Sequence, residues 1–303
     1  MAFRHIKDLF VKEKSRFAFL LIVPTMIILI CIVIYPMIYS LHLCFHSWNL
    51  IRPYLGKSFV GLDNFNWVFH KTRFYVSLFN TLSFMSMAVL LQFFLGLGLA
   101  LLLNRKFKGV GVVRTLFLLP MMMPAVVAGT LWRFMFLRDY GIVNYLLGLI
   151  GITGPAWCGS MEKFLHLPVA MYSIIIVDVW QWTPFMMLIL LAGLQSLPEE
   201  PIEAAKIDGA SKGQILSHII LPLLKPAIMV ALLIRTMDAF KIFDLVYILT
   251  YGGPGWSTEV LSFYTYKVGF SWFLMGKAAT LSWIMLLTIV AISLFYRRYI
   301  EEI

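Results

Sequence analysis

Long runs of apolar residues recur along the whole sequence, and they constrain the fold more than any other feature. A run of about 20 apolar residues spans the hydrocarbon core of a bilayer, because a helix rises about 1.5 Å per residue. The composition agrees, since 61% of the 303 residues are hydrophobic and 13% are charged, whereas soluble domains carry about 25% charged residues. The sequence therefore predicts an all-α membrane protein that crosses the bilayer several times.

The apolar runs predict six transmembrane helices. The predicted spans cover residues 17–45, 74–103, 115–137, 167–194, 222–250 and, from Ser271 or Gly276 onward, 271–296. The predicted outer segments cover residues 46–73, 138–167 and 251–270. Residues 17–297 then form one transmembrane domain between two short tails, at 1–16 and 298–303.

Lys and Arg residues indicate the orientation of these spans. They cluster in the first tail, in the segment 104–114 and in or near the segment 198–221, and they are fewer in the predicted outer segments. Cytoplasmic loops carry an excess of Lys and Arg, so both tails are predicted to lie in the cytoplasm. The same bias accounts for the formal charge of +10 without a nucleic-acid partner.

The third predicted span contains Pro120 and Pro124, and proline inside a helix causes kinks. Two interpretations stay open: a span that bends and repacks around its methionines, and a helix that is merely kinked. In the second span, Gly96 and Gly98 predict close packing against a neighbouring helix.

No sequence pattern of a catalytic or metal site is present. The chain has no phosphate-binding loop of the GxxxxGK[ST] type, so we do not expect it to bind ATP or to be an enzyme. His42 and His46 provide too few ligands for a metal, and an interfacial pair is the preferred interpretation. The three cysteines have no CxxC spacing. A disulfide between Cys44 and Cys158 is conceivable, but free thiols are favoured.

The segment 198–221 has the composition of a soluble protein. Prolines and glutamates at its start suit the first turn of a helix, where acidic groups complement the helix dipole (Pro198, Glu199, Glu200, Pro201 and Glu203). Gly209 is predicted to end this short helix in the left-handed conformation, because glycine has no Cβ. Ser211 is predicted to cap a second helix that ends near Ile219, before Pro222 begins the fifth span.

The same segment carries a specific resemblance. It reads E-A-A, three residues, G, nine residues, I, one residue, L-P. This pattern is similar to the signature of the inner-membrane permease subunits of ATP-binding-cassette (ABC) importers. In that family, the loop is the coupling helix, which docks into a groove of the ATPase subunit. The resemblance implies that ATPase contacts are made by Glu203, Ala204, Ala205, Asp208 and Gly209.

Charged residues inside the predicted spans mark a second region of interest. They are Asp178 in the fourth span and Arg235, Asp238, Lys241 and Asp244 in the fifth. Charged groups at membrane depth are costly, so they face the protein interior or a water-filled path. Helical spacing predicts the pairs Arg235–Asp238 and Lys241–Asp244. Mutual neutralisation is the preferred interpretation of the second pair, and a solute pathway that of the first.

The end of the fifth span, Leu249-Thr250-Tyr251-Gly252-Gly253-Pro254, resembles the L-T-x-G-G-P segment of the carbohydrate-uptake branch of these permeases. That branch includes maltose, trehalose and glycerol-phosphate systems. The segment Phe59–Phe65 resembles its F-x-G-L-x-N-F pattern. The resemblance, carried over from the maltose system, implies that solute contacts are made by Gln181, Trp182, Phe185, Arg235, Asp238, Ala239 and Ile242. The charged Arg235 and Asp238 depart from the neutral residues of that system, which implies a different sugar or pose, and packing remains an alternative for Phe185.

Together, the resemblances imply a type I ABC importer permease in the bacterial cytoplasmic (inner) membrane. The implied partners are two ATPase subunits that hold ATP and Mg²⁺, a second homologous permease, an extracytoplasmic solute-binding protein, a sugar and membrane lipid. One alternative is the same machinery with another solute such as glycerol phosphate, for which Arg235 would suit the phosphate. The other is a non-transport scaffold or an intramembrane enzyme, against which the coupling-loop pattern argues.

Overall fold

The computed structural model describes residues 22–105 and 107–301, so the predicted tail at 1–16 lies outside the described residues. Within them, helices dominate. The helices are α1 Ile22–Cys44, α2 Asp63–Phe69, α3 Thr72–Leu103, α4 Val110–Met122, α5 Ala125–Met135, α6 Ile142–Leu149, α7 Val169–Gln195, α8 Glu200–Ile207, α9 Lys212–Phe240, α10 Asp244–Leu249, α11 Leu261–Tyr266 and α12 Met275–Glu301. The antiparallel strand pairs are β1 His46–Ser47 with β2 Ser58–Phe59, and β3 Lys163–Phe164 with β4 Leu167–Pro168.

Five of the described helices, α1, α3, α7, α9 and α12, are each long and apolar enough to cross a membrane. The helices α4 and α5 make a sixth apolar segment that bends by 93°. The bend lies at Met123, whose extended backbone (φ −79°, ψ 136°) is the conformation that a following proline favours. The predicted all-α fold is therefore confirmed, and the third apolar segment begins at Val110 rather than at Thr115.

The fifth span differs from its prediction at both ends. The predicted second helix of the segment 198–221 is not separate, because α9 runs without a break from Lys212 through Pro222. A π-helical turn at Leu216–Ile220 changes the hydrogen-bond pattern just before the proline, which has no N–H to donate. At its other end, α9 stops at Phe240, and α10 resumes at Asp244.

The predicted outer loop 251–270 is also partly wrong. Its second half forms α11, which continues into a π-helical turn at Lys267–Ser271. The side chains of Leu261, Phe263 and Tyr264 are buried at 0–1% exposure. Their apolar surface stabilises a helix here, although the segment is too short to be recognised as a span.

The described chain divides into two compact units, and the smaller one comprises residues 22–68 and 268–283. Its core consists of Leu43, Cys44 and Ala279, packed against Phe45, Trp48, Phe65 and Trp283. Asn64, from the F-x-G-L-x-N-F segment, is 3% exposed and donates to the backbone oxygens of Cys44 (2.9 Å) and His46 (3.0 Å). That segment therefore fixes the chain where α1 ends.

The larger unit comprises residues 69–267 and 284–301 and is built around the packing of α3 along α7. A Cβ at Gly96 would lie 2.8 Å from the Met186 side chain, so only glycine permits this approach. The predicted close packing is confirmed at Gly96. It is wrong at Gly98, where a Cβ would meet no atom within 4 Å.

Candidate functional site

The segment 198–221 presents its first helix, α8, to the surface. Pro201 lies in the first turn with Glu200 and Glu203, as the dipole argument predicts. Most of the helix is exposed, and Ile207 is exposed to 86%. The helix therefore presents charged side chains and one large apolar side chain at its surface.

The turn after α8 has the geometry that its residues predict. Asp208 is the C-cap, and Gly209 follows with φ +80°, a conformation that residues with a Cβ adopt at a cost. Ser211 and Gln214 then form a reciprocal capping box at the start of α9. The caps predicted at Gly209 and Ser211 are confirmed. The five predicted ATPase contacts lie on α8 and this turn; Ala205 is half-buried and the other four are exposed.

A buried polar cluster joins α3, α7 and α9. The Arg235 guanidinium forms an ion pair with Asp178 and donates from Nε to Gln92 Oε1 at 2.7 Å. Gln92 Nε2 in turn donates to Asp178 Oδ2 at 2.8 Å and to the Asp178 backbone oxygen at 3.1 Å. All three residues are at most 3% exposed. A closed network of this kind satisfies a buried charge that would otherwise be costly.

Both predicted ion pairs are wrong, and the break after Phe240 explains part of the difference. Arg235 pairs with Asp178 on another helix instead of with Asp238. Asp238 pairs with Lys241 at 2.9 Å, and Lys241 does not pair with Asp244 because α9 has ended before it. The i,i+3 rule applies only inside a continuous helix.

These groups surround a cavity of about 220 Å³, which we call the central cavity. The residues that line it are Ala125, Asp178, Gln181, Trp182, Arg235, Asp238, Lys241, Ile242, Phe243, Asp244 and Leu245. Asp178 is the tenth of the 27 residues of α7, so the cavity lies about 14 Å, or roughly one third of the way, along that helix. The Arg235 guanidinium also lies 5.4 Å from the centre of the Trp182 ring, within cation–π range.

Five of the seven predicted solute contacts line this cavity, and two do not. Gln181, Trp182, Arg235, Asp238 and Ile242 belong to the lining. Ala239 lies outside the lining: it is 1% exposed and packs in the hydrophobic core. Phe185 lies outside the lining, and its half-buried ring packs against Trp182 with ring centres 6.2 Å apart.

The cavity carries one unsatisfied hydrogen-bonding group and an excess of negative charge. Gln181 is 1% exposed and donates from Nε2 to the Met123 oxygen at 2.9 Å, whereas its Oε1 has no partner among the described residues. Three carboxylates and two cations line the cavity. Because Asp178 already neutralises Arg235, that cation is not free for an anionic solute.

Sequence reasoning missed several residues of this site. Gln92 was overlooked because an isolated amide in an apolar span gives no periodic signal. Phe243 and Leu245 were overlooked because they follow the break in the fifth span. An indication was available in the sequence, since Asp178 was the one acidic residue of the fourth span and required a cationic partner somewhere.

The three cysteines and the pair His42 and His46 all lie within the described residues. Cys31, Cys44 and Cys158 are free thiols, so a Cys44–Cys158 disulfide is not formed. His42 and His46 stack with ring centres 3.9 Å apart. No group of three or more His, Cys, Asp or Glu side chains suited to a metal occurs among the described residues.

Comparison with known proteins identifies the chain's relatives. The family described as binding-protein-dependent transport system inner membrane component matches residues 92–301. A probable ABC transporter permease, y4oQ of Sinorhizobium fredii, is 39% identical over 89% of this chain and 85% of its own length. The trehalose/maltose transport system permease MalF of Thermococcus litoralis is 37% identical over 95% of this chain and 94% of its own length.

A solved structure supports the fold. A chain of a bacterial ABC transporter involved in the import of the acidic polysaccharide alginate superposes with a TM-score of 0.83. It is 24% identical, and the match covers 96% of this chain and 97% of that one. At this identity the likeness concerns the fold alone, which is that of a type I ABC importer permease.

Proposed function

The chain belongs to the family of binding-protein-dependent transport system inner membrane components, and from this membership we propose that it is one of two non-identical permease subunits of an ATP-driven sugar importer. The chain itself catalyses no reaction in this proposal. ATP and Mg²⁺ are bound by two copies of a partner ATPase, and an extracytoplasmic solute-binding protein delivers the sugar. Family membership argues against the alternatives of a scaffold or an intramembrane enzyme.

The observation that carries the coupling role is the exposed helix α8 with its glycine turn. Glu203, Ala204 and Gly209 are exposed beside Ile207, which is 86% exposed. The left-handed backbone of Gly209, directly after the C-cap Asp208, sets the direction in which the chain leaves the helix for α9. A rigid turn that continues directly into a spanning helix can transmit movement of a docked ATPase to that helix.

The central cavity supports a sugar as the solute. Sugars bind to aromatic faces combined with polar groups that accept and donate hydrogen bonds. Trp182 and Phe243 supply the rings, and Gln181 and Asp238 supply polar groups. The volume of about 220 Å³ is below the roughly 300–1,000 Å³ of pockets for larger ligands, so we expect the second permease to provide another wall. The relative MalF of Thermococcus litoralis is named a trehalose/maltose permease, so maltose and trehalose are the sugars to test first.

The charge of the cavity argues against glycerol phosphate as the solute. Arg235 would suit a phosphate if it were free, but its guanidinium is bound by Asp178 and Gln92. Asp244 also lines the cavity and forms no ion pair within the part of the chain that the structure describes. A phosphate would therefore meet an excess of carboxylates, whereas a neutral sugar would use them as hydrogen-bond acceptors.

Alternating access is the proposed mechanism. ATP binding closes the ATPases, α8 moves with them, and α9 changes the exposure of the central cavity from one side to the other. Breaks between helices at Met123 and at Lys241–Phe243 flank that cavity. Breaks of this kind let short helices reorient without unfolding a span. The driving free energy must come from contacts that differ between the two states.

Both termini are proposed to lie in the cytoplasm of the bacterium. Cysteines introduced near positions 5 and 300 should resist a membrane-impermeant thiol reagent in intact cells. A cysteine introduced at Lys57 should be labelled. Labelling at either terminus would mean that the number of spans has been miscounted.

Replacement of Asp238 by asparagine tests the sugar proposal. If Asp238 binds solute, transport of maltose and trehalose should fall, while assembly with the ATPase and basal ATP hydrolysis persist. Asp139→Asn is the matched control, because Asp139 is exposed and lies outside the cavity lining. If Asp238 serves only as counter-ion to Lys241, the double variant Asp238→Ala with Lys241→Ala should restore transport, and that restoration would refute the ligand role.

A further inference from the structure

A second, larger cavity lies in the same unit as the central one. Its volume is about 700 Å³, and we call it the vestibule cavity. The residues that line it are Arg133, Phe136, Leu137, Arg138, Ala156, Trp157, Cys158, Gly159, Tyr247, Ile248, Leu249, Thr250 and Tyr251. It lies where α5 ends and α7 has not yet begun, next to the segment predicted to be outside. The volume falls within the range of about 300–1,000 Å³ that is typical of ligand pockets.

The lining combines aromatic rings with guanidinium groups. Trp157, Tyr247 and Tyr251 offer ring faces, and Arg133 and Arg138 offer several N–H donors. Tyr247 is 40% exposed and Tyr251 52% exposed, so both rings can be reached from the cavity. Ring faces beside fixed donors are the features that recognise the apolar faces and hydroxyl edges of sugar rings.

Several of these side chains are held in place before any ligand binds. The Trp157 indole donates from Nε1 to Asn144 at 2.7 Å, and its ring stacks on Phe136 with centres 5.2 Å apart. Arg133 donates from Nη1 to the Ile248 oxygen at 2.9 Å. Such preorganisation reduces the entropy lost when a ligand binds.

The backbone of Tyr251 is strained. Its φ is +52°, in the left-handed region that is costly for residues other than glycine. A hydrogen bond of 2.8 Å from its N–H to the Val246 oxygen holds it there. Strain of this kind occurs at ligand-binding positions, where it fixes the direction of a side chain.

Helix α10 connects the two cavities. Asp244 and Leu245 line the central cavity, whereas Tyr247, Ile248 and Leu249 line the vestibule cavity. The helix rises about 1.5 Å per residue, so the two linings are only about 3–8 Å apart along it. Movement of α10 would therefore change both cavities together.

We propose that the vestibule cavity is a second carbohydrate-binding site, which holds a sugar by Trp157, Tyr251 and the two arginines before the sugar reaches the central cavity. The inference rests on the proposed function for the identity of the solute. Arg138 and Arg133 donate to hydroxyl oxygens, and the rings pack against the C–H faces. Because α10 lines both cavities, occupancy of the first site biases the arrangement of the second.

Cys158 provides a native reporter, since it lines the vestibule cavity and is half-buried. Burial raises the pKa of the Cys158 thiol to about 11, and the positive charge of Arg133 opposes this rise. Reaction with N-ethylmaleimide is therefore measured at about pH 9, where more thiolate is present. The intact transporter is used in lipid nanodiscs, with Cys31→Ser and Cys44→Ser, and the Cys158 peptide is quantified by mass spectrometry.

Maltose and trehalose should each slow the modification of Cys158 if they are bound in the vestibule cavity. Arg138→Gln removes a charged donor and should raise the half-protecting concentration about tenfold. Lys163→Gln is the matched control, because Lys163 is exposed and outside the lining. Likewise, Tyr251→Leu should weaken protection, whereas Tyr140→Leu, at a position that is 92% exposed, should not.

The variant Asp238→Asn distinguishes failure of the second-site proposal from failure of the importer proposal. The variant alters the central cavity, so transport should fall while Cys158 protection persists. Loss of protection in Asp238→Asn would overturn the second site, because protection would then report only the central one. The second site would also be overturned if sugar concentrations that saturate transport left the modification rate of Cys158 unchanged, or if that rate responded only to the lipid composition. Either result would leave the importer assignment intact.

Discussion

Replacement of Asp178 by asparagine is expected to destabilise the protein far more than the same change at Asp238. Asp178 is the counter-ion of Arg235 inside the bundle, and its carboxylate also accepts from Gln92 at 2.8 Å. The side chains of the buried pair are 2% and 4% exposed. Asparagine keeps an acceptor oxygen but leaves the guanidinium charge without a partner.

The magnitude follows from the burial. Removing one member of a buried ion pair costs about 3–5 kcal/mol, because the remaining charge is left unpaired in a medium of low polarity. For Asp238 and Lys241, whose side chains are 37% and 69% exposed, the pair contributes about 0–1 kcal/mol. We therefore expect a difference of at least about 2 kcal/mol between Asp178→Asn and Asp238→Asn.

A double variant shows whether the charge causes the loss. Asp178→Leu with Arg235→Met removes both charges at similar volume, which is often neutral for a buried pair. Gln92 Oε1 would lose its donor, at a cost of about 1–3 kcal/mol. The double variant should therefore recover part, but not all, of the stability lost in Asp178→Asn.

Thermal unfolding of the assembled transporter in nanodiscs, followed by tryptophan fluorescence, measures these differences as shifts of the apparent Tm. Asp178→Asn should lower the Tm clearly, Asp238→Asn should lower it little, and the double variant should lie between them. Equal shifts for the two single variants would contradict the assigned pairing. A double variant less stable than Asp178→Asn would show that packing, rather than charge, holds the cluster.

Three further changes test other parts of the molecule. Gly209→Val should abolish sugar-stimulated ATP hydrolysis because a β-branched residue disfavours φ +80°, while Gly209→Asn, which tolerates this conformation, should retain much of it. Gly96→Val should reduce the yield of assembled transporter, since its Cβ would meet Met186 at 2.8 Å; Gly98→Val is the control. Asn64→Ala should cost about 1–3 kcal/mol, measured by Tm, because two backbone oxygens lose their donor.

The sequence alone determined that the protein is an all-α membrane protein. It also located the segment 198–221, which carries the permease signature. Apolar runs must become helices in a bilayer, because every backbone polar group needs a partner inside the span. The caps at Gly209 and Ser211 were also predictable, since they depend on the local conformation of a few neighbouring residues. A cap depends only on backbone groups within one helical turn, whereas the i,i+3 ion pair predicted for Arg235 failed because a partner on another helix competes for it.

Only the tertiary structure decided which charges meet and which residues line the cavities. Arg235 pairs with Asp178, which is 57 positions away in the sequence, and Gln92 joins them from a third helix, so no periodicity could indicate the cluster. Because α9 ends at Phe240, Lys241 and Asp244 do not share a helix face, and packing against other helices buries Ala239 in the core. Helix breaks and contacts between distant helices depend on packing of the whole bundle, because the cost of a buried charge is offset only where the fold brings its partner.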